Sequence, residues 1–188
     1  MKLINLTQNT PEWLSFRRKH IGASDAPTIL GTNPYRTAKA LWRDKVFGET
    51  QKETSAMRWG KDKEAEALRC FETMTHSLVF PAVVLHPELE WASASLDGLD
   101  IERNFIVEIK CPGAKNHQMA VDGIVPEHYY AQIQHQLACC DLDDAFYFSY
   151  DGSKGVMIDV KRDKDFIDKM FEKELLFWDS IKAFVQEV

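Results

Sequence analysis

Apolar positions recur along this chain with two periods, and the change from one to the other divides it into elements. Across residues 105–111 the period is two: Phe105, Val107, Ile109 and Cys111 alternate with Ile106, Glu108 and Lys110. The spacing predicts a strand with Glu108 and Lys110 on one face. Residues 78–85 and 91–95 read as two more strands, with Pro81 marking an edge or a bulge in the first. The three together predict an antiparallel meander, with Asp97 and Gly98 at a turn between the second and third. Residues 145–150 form another strand, Asp151-Gly152 signals a hairpin, and 155–160 is the returning strand.

Helical spacing fills most of the rest. Thr10 followed by Pro11 predicts an N-cap and a first helical position, opening a helix to about His20 with Trp13, Phe16 and His20 inward. Ser24 is placed to cap a short helix ending at Gly31. After a turn at Asn33-Pro34-Tyr35, Thr37 caps a helix running toward Gly48. Over 55–74, Met57, Leu68 and Phe71 form an inner stripe that also contains Glu64. A carboxylate on such a stripe is paired, coordinated or half-exposed at the margin, and Arg58 and Lys61 are within helical reach of it.

Residues 114–123, AKNHQMAVDG, read as a polar loop in which Lys115, Asn116 and His117 either approach a polyanion or are simply solvated. Pro126 begins a helix that turns Tyr129, Tyr130, Ile133 and Leu137 inward and leaves Gln132 and Gln136 one turn apart. From Asp163 to the end, Phe166, Ile167, Met170, Phe171, Leu175, Trp178, Ile181 and Val185 predict a long amphipathic helix covering the sheet. With no repeat, linker or low-complexity tract, residues 1–188 read as a single α+β domain.

Composition narrows the classes. A 45% hydrophobic content in 188 residues suffices for a substantial core. The four cysteines lack paired metal-site spacing, and no basic segment leads into an apolar one at the N-terminus, so a reduced, cytoplasmic protein is expected. No apolar run is long enough to cross a bilayer. The net charge of −6 excludes a generally basic nucleic-acid coat while permitting a local basic groove.

The candidate chemistry centres on Asp97, followed after ten residues by Glu108, with Lys110 two positions further on. Two carboxylates and a backbone carbonyl, that of Ile109, suit Mg²⁺, which takes oxygen ligands and keeps several waters. Such an ion polarises a phosphodiester and acidifies a water, while Lys110 orients that water, helps to deprotonate it or stabilises charge on the phosphate. The alternative is a surface Glu108–Lys110 pair at a sheet edge. Glu64 is the natural third acid. Near the N-terminus, Arg17 and Arg18 lead into Ser24, a combination that serves either as a phosphate site or as an ordinary cap beside surface arginines.

In order along the chain, RRKHIGAS holding Arg17 and Ser24, GKDKE holding Glu64, SLDG holding Asp97, EIKCP holding Glu108 and Lys110, and AQIQ holding Gln132 resemble lambda exonuclease and the YqaJ-type viral recombinases of the PD-(D/E)xK nuclease superfamily. The resemblance runs from about Trp13 into the C-terminal helix. It implies a restriction-endonuclease-like core, a central mixed sheet flanked by helices. It also implies a Mg²⁺-dependent exonuclease, with Mn²⁺ able to substitute, that enters double-stranded DNA ends. Such an enzyme digests the 5′-phosphorylated strand to mononucleotides in the 5′-to-3′ direction and leaves a 3′ overhang for recombination by strand annealing. By motif, Asp97 and Glu108 are metal ligands, Glu64 assists, and Lys110 is the catalytic lysine. Arg17, Ser24, Ser95 and Gln132 hold the terminal 5′ phosphate. A homotrimeric ring, a single-strand annealing partner and a phage or prophage origin in a bacterial cytoplasm are implied as well. The chain departs from the family in being short and in carrying Leu96 where a proline precedes the aspartate. A related endonuclease and a non-catalytic DNA-end-binding module are the competing readings.

Overall fold

The structure, a computed structural model, describes residues 1–49 and 54–187. Its elements are β1 (Lys2–Ile4), α1 (Pro11–Arg18), β2 (Ile21–Gly22), a 3-10 turn (Ala23–Asp25), α2 (Ala26–Leu30), α3 (Ala38–Phe47), α4 (Ser55–Thr75), β3 (Phe80–Leu85), β4 (Ala92–Asp100), β5 (Phe105–Lys110), α5 (Ala114–Val121), α6 (Glu127–Cys140), β6 (Asp144–Tyr150), β7 (Gly155–Lys161) and α7 (Lys164–Glu187). Among the described residues the strands form one sheet in the order β1-β3-β4-β5-β6-β7, with β2 paired to β4 off that path.

The antiparallel β3-β4-β5 meander and the β6-β7 hairpin are present as the alternation predicts. Strands β5 and β6 are parallel, which makes the sheet mixed, and α5 and α6 supply the long crossover that a parallel pair requires. On one face, Leu96, Ile106 and Tyr147 pack with Ile133 and Leu137 of α6. On the other, Val107, Ile109 and Phe148 pack with Ala67 and Phe71 of α4. Helix α7 closes over α2 and α6 through Ala26, Ala138, Ile167 and Met170. No helix among the described residues is long and apolar enough to cross a membrane.

Several elements differ from the sequence reading. Asp97 and Gly98 are inside β4 rather than at a turn. Leu96 stands opposite Ala82 and Leu99 opposite Phe80, so three steps along β4 match two along β3, a bulge at which Pro81 is the opposing residue. Ala92, Ala94 and Leu96 face α6 before the bulge and Leu99 after it. Bulges re-aim side chains in this way. Gly98 is required there by close approach, since an added Cβ would meet Val79 Cγ2 at 2.6 Å and Val107 Cγ1 at 2.7 Å.

The segment read as a polar loop is helix α5, built from helix-forming Ala, Lys, Gln and Met, with Ala120 in the core. Its His117 packs inward, Nδ1 2.9 Å from Ser149 Oγ. Ser24 does not cap a helix: it lies in the 3-10 turn, and α2 begins at Ala26 with Pro27 in its first turn and left-handed Gly31 at its end. Helix α4 is rotated from the predicted stripe, burying Ala67 and Phe71 and leaving Met57 and Glu64 accessible. In α7, Leu175 and Val185 are exposed, while Glu174 is buried instead. The end of the predicted helix at Val188 lies outside the described residues.

Buried Glu174 meets His135 of α6, whose Nδ1 is 3.0 Å from Glu174 Oε1 and whose Nε2 is 3.0 Å from the Ser93 carbonyl. Two acceptors around one ring favour the imidazolium, which donates to both. Burial opposes that charge, but Glu174 outweighs it and holds the His135 pKa well above its ordinary value. Burial also raises the Glu174 carboxyl, against the pull of His135. Both shifts make the folded state bind more protons than the unfolded one. The His135 contribution is therefore full below about pH 6.5 and is lost as pH rises through the folded value. The urea midpoint is expected to fall between about pH 6 and pH 9, and to fall less steeply in a His135→Leu, Glu174→Met double variant. Equal slopes would show that the pair does not carry the effect.

Candidate active site

Strand β4 changes partner along one edge. Gly98, Leu99 and Asp100 pair with Val107, Ile106 and Phe105 of β5, whereas Ala92 and Ser93 pair with Ile21 and Gly22 of β2. Between these stretches β4 and β5 diverge into a fork. The bulge delivers Asp97 into it, and the Ile109 N–H donates to Asp97 Oδ2 at 2.8 Å, so a side chain takes the place of a main-chain ladder acceptor.

Glu108, 1% exposed, sits opposite. Its Oε1 accepts from Gln132 Nε2 at 2.6 Å and from the Lys110 ammonium, and its Oε2 accepts from Gln136 Nε2 at 2.5 Å. The same Gln136 nitrogen lies 3.4 Å from the Ser95 carbonyl, bridging the fork from β4 to β5. Period-two alternation turns Glu108 and Lys110 toward α6, and the one-turn spacing of Gln132 and Gln136 lets both amides reach one carboxylate.

The electrostatics are those of an acid cluster with one cation. Burial and the neighbouring Glu108 push the Asp97 carboxyl well above its usual range, against the pull of Lys110. Burial alone would lower the Lys110 pKa, but Glu108 and Asp97 raise it and keep the ammonium charged. The Lys110 Nζ also lies 5.4 Å from the centre of the Tyr129 ring. Glu64, on the accessible margin of α4, has its carboxyl raised by partial burial and by Glu108. Its charge contributes in turn to the Asp97 shift.

Asp97, Glu108 and Lys110 are thus brought together, with Glu64 within electrostatic reach. Among the described residues no three histidine, cysteine or acidic groups converge closely enough to hold a metal ion. The donor set nevertheless suits Mg²⁺, which needs only one or two carboxylates when water and a substrate phosphate complete its shell. Three donors on Glu108 leave one of its roughly four acceptor positions open, and the repulsion between the acids favours an added cation.

Of the residues expected at a 5′ phosphate, three form a connected group. Arg17 Nη2 donates to Ser24 Oγ at 2.6 Å, the guanidinium lies 4.7 Å from the centre of the Trp13 ring, and Trp13 Nε1 donates to Ser95 Oγ at 2.8 Å. Gln132 stands apart from them, on Glu108, and the two sets connect through Gln136 and the Ser95 backbone. Arg18, expected beside Arg17 at the phosphate site, lies instead against Gly48.

Sequence reasoning did not identify the roles of Trp13, Gln136, Lys45 and Asp25. A buried indole needs an acceptor, which was an available signal for Trp13. The spacing of Gln136 from Gln132 was another. Nothing local distinguishes Lys45 or Asp25.

The chain is similar to known proteins in sequence and in fold. The sequence model of the YqaJ-like viral recombinase domain matches residues 12–143, a span that contains the whole site. The uncharacterized protein YqaJ of Bacillus subtilis (strain 168) is 33% identical over 181 residues. That match covers 93% of this chain and 57% of the relative, so the chain spans little more than half the length of that protein. In structure, the alkaline exonuclease LHK-Exo of Laribacter hongkongensis gives a TM-score of 0.81 at 24% identity over 95% of both chains. The same enzyme in complex with dAMP gives 0.82 at 23%, again over 95% of each chain. A phage-related exonuclease from Haemophilus somnus 129PT gives 0.66 at 13% identity, over 93% of this chain and 99% of that one. At these identities the likeness establishes the fold alone, a mixed sheet flanked by helices that this chain shares with those exonucleases.

Proposed function

The chain belongs to the YqaJ-like viral recombinase domain family, and on that premise we propose that it is a Mg²⁺-dependent DNA exonuclease. It enters double-stranded ends, digests the 5′-phosphorylated strand 5′-to-3′ to mononucleotides, and leaves a 3′ overhang for recombination. The observation that carries this reading is the fork, where Asp97, Glu108 and Lys110 meet within a few contacts of the Arg17–Ser24 pair. Cleavage groups at a short fixed remove from a terminal-phosphate pocket are what stepwise removal of one nucleotide requires.

Asp97 and Glu108 would hold the Mg²⁺, or Mn²⁺ in its place, with the Ile109 carbonyl and Glu64 as further donors. When bound, the ion supplies Lewis acidity to the scissile phosphate and lowers the pKa of the attacking water. Lys110, kept as an ammonium between Glu108 and Asp97, orients that water and stabilises charge developing on the phosphoryl oxygens. Arg17, Ser24, Ser95 and Gln132 anchor the terminal phosphate through charge-assisted hydrogen bonds. Retention on DNA as a closed homotrimer and transfer of the overhang to a single-strand annealing protein complete the reading. A ring suits an acidic chain that cannot coat DNA by charge alone.

The discriminating experiment supplies Mg²⁺ with linear duplex or covalently closed circular duplex. The linear form should be reduced to mononucleotides and the circle left intact. Cutting of the circle would favour the endonuclease, and binding to ends without cutting would favour a non-catalytic module.

A 5′-phosphorylated duplex should be digested about ten- to a hundredfold faster than its 5′-hydroxyl counterpart, the range expected for one or two charged hydrogen bonds. Arg17→Ala should bring that ratio close to one. Equal wild-type rates on the two duplexes would return these residues to ordinary structural roles.

A further inference from the structure

Arg17 and Ser24 sit on separate segments, the last turn of α1 and the 3-10 turn after β2. Lys45 of α3 clasps both. It is 9% exposed, and its ammonium donates to the Arg17 carbonyl at 2.7 Å and the His20 carbonyl at 2.6 Å. It also pairs with Asp25 Oδ2 at 2.6 Å. Asp25, 3% exposed, accepts in addition from the Gly22 N–H at 3.0 Å on the same oxygen.

An ammonium has three N–H donors, and all three are engaged by these acceptors. Lys45 therefore has no donor left for a ligand. What it does is hold the end of the helix bearing Arg17 against the turn bearing Ser24. Replacing a buried ion pair by uncharged residues of similar size is often neutral for stability, so stability alone is a weak reason for this one.

We propose that Lys45 and Asp25 are positioning residues for the terminal-phosphate pocket, fixing the Arg17 guanidinium against the Ser24 hydroxyl and so setting the discrimination between 5′-phosphate and 5′-hydroxyl ends. The inference rests on the reading of Arg17 and Ser24 as phosphate ligands. If Lys45 releases the C-terminal turn of α1, the guanidinium remains stacked on Trp13 but its alignment with Ser24 is lost. The penalty then falls on the substrate that carries the phosphate.

Two variants test this. Asp25→Asn keeps an oxygen for the Gly22 N–H and for Lys45 while removing the charge. The Asp25→Asn, Lys45→Met double variant removes both charges, avoiding the unpaired buried carboxylate that Lys45→Met alone would leave. Each is assayed for thermal melting, for digestion of 5′-phosphorylated and 5′-hydroxyl duplexes, and for binding of the same two ends in EDTA by fluorescence anisotropy.

The phosphate preference in rate and in binding should fall about threefold in Asp25→Asn and about tenfold in the double variant, the latter equivalent to one misaligned charged hydrogen bond. The loss should appear as a raised KM on phosphorylated ends, with digestion of hydroxyl ends unchanged. Equal losses on both ends, or an unaltered preference in a folded variant, would overturn the proposal. Asp25→Asn decides the question alone if the double variant does not fold. A wild-type protein without phosphate preference would instead remove the phosphate reading beneath it, a result visible before any variant is made.

Discussion

Asp97→Asn is expected to abolish cleavage while leaving the fold intact. The amide retains an oxygen for the Ile109 N–H, so the contact that shapes the fork survives the change. What is lost is a negative charge beside Glu108 at the place where a divalent cation would sit. Removing one of two carboxylate ligands should lower single-turnover cleavage by about a thousandfold or more. The same substitution relieves repulsion between the acids, so in EDTA the variant should melt at or above the wild-type temperature. Glu108→Gln should behave differently, because its amide nitrogen would then face either Gln136 or the Lys110 and Gln132 pair, donors to the two oxygens of the native carboxylate. It should lose both activity and stability. Full activity of Asp97→Asn, or of the wild-type protein in EDTA, would refute the metal-dependent reading.

Lys110→Arg should fail nearly as severely as Lys110→Ala, each by about a hundred- to ten-thousandfold in the chemical step. The lysine is a compact charge held by Glu108 beneath the Tyr129 ring. A guanidinium is planar, broader and fixed in its donor directions, so it keeps the charge but cannot occupy the same point or hold a water in the same place. Binding of a DNA end in EDTA should change little in either variant. A Lys110→Arg protein with near wild-type single-turnover rate would show that positive charge suffices without position.

Much of this architecture was legible in local pattern. Alternation along 105–111 marks β5 and puts Glu108 and Lys110 on one face, and the helical recurrence of Phe166, Ile167 and Met170 marks α7 as the helix that closes over the core. The order of short motifs gives the family. Other features depend on contacts that no short window contains. Asp-Gly ordinarily signals a turn, and only the crowding of Gly98 by Val79 and Val107 makes it a bulge. Helix α5 was hidden because its polar composition offers no apolar stripe. The Lys45–Asp25 and His135–Glu174 pairs join residues on different elements, and each charged member looks like a surface residue until its partner is in place. Glu64 was singled out by its position on an inner stripe, yet α4 is rotated so that Ala67 and Phe71 take the core and Glu64 stays accessible, within electrostatic reach of Asp97 and Glu108.

A strand has a reading frame of two, and the bulge in β4 is a deliberate frameshift within it. Ala92, Ala94 and Leu96 face α6 in one frame and Leu99 in the other, with Asp97 and Gly98 between. Deleting either residue restores a continuous frame in which Leu96 and Leu99 both still face α6, and the single residue left between them turns to the opposite face of the sheet. Leu99 then keeps its place in the core beneath α6, but the fork loses its carboxylate even if an aspartate is kept, because that aspartate now points away from Glu108. Substitutions at this point are graded by chemistry, whereas insertions and deletions act on geometry as a whole. The lengths of the segments flanking Asp97 are therefore as much a part of the site as the residues within it.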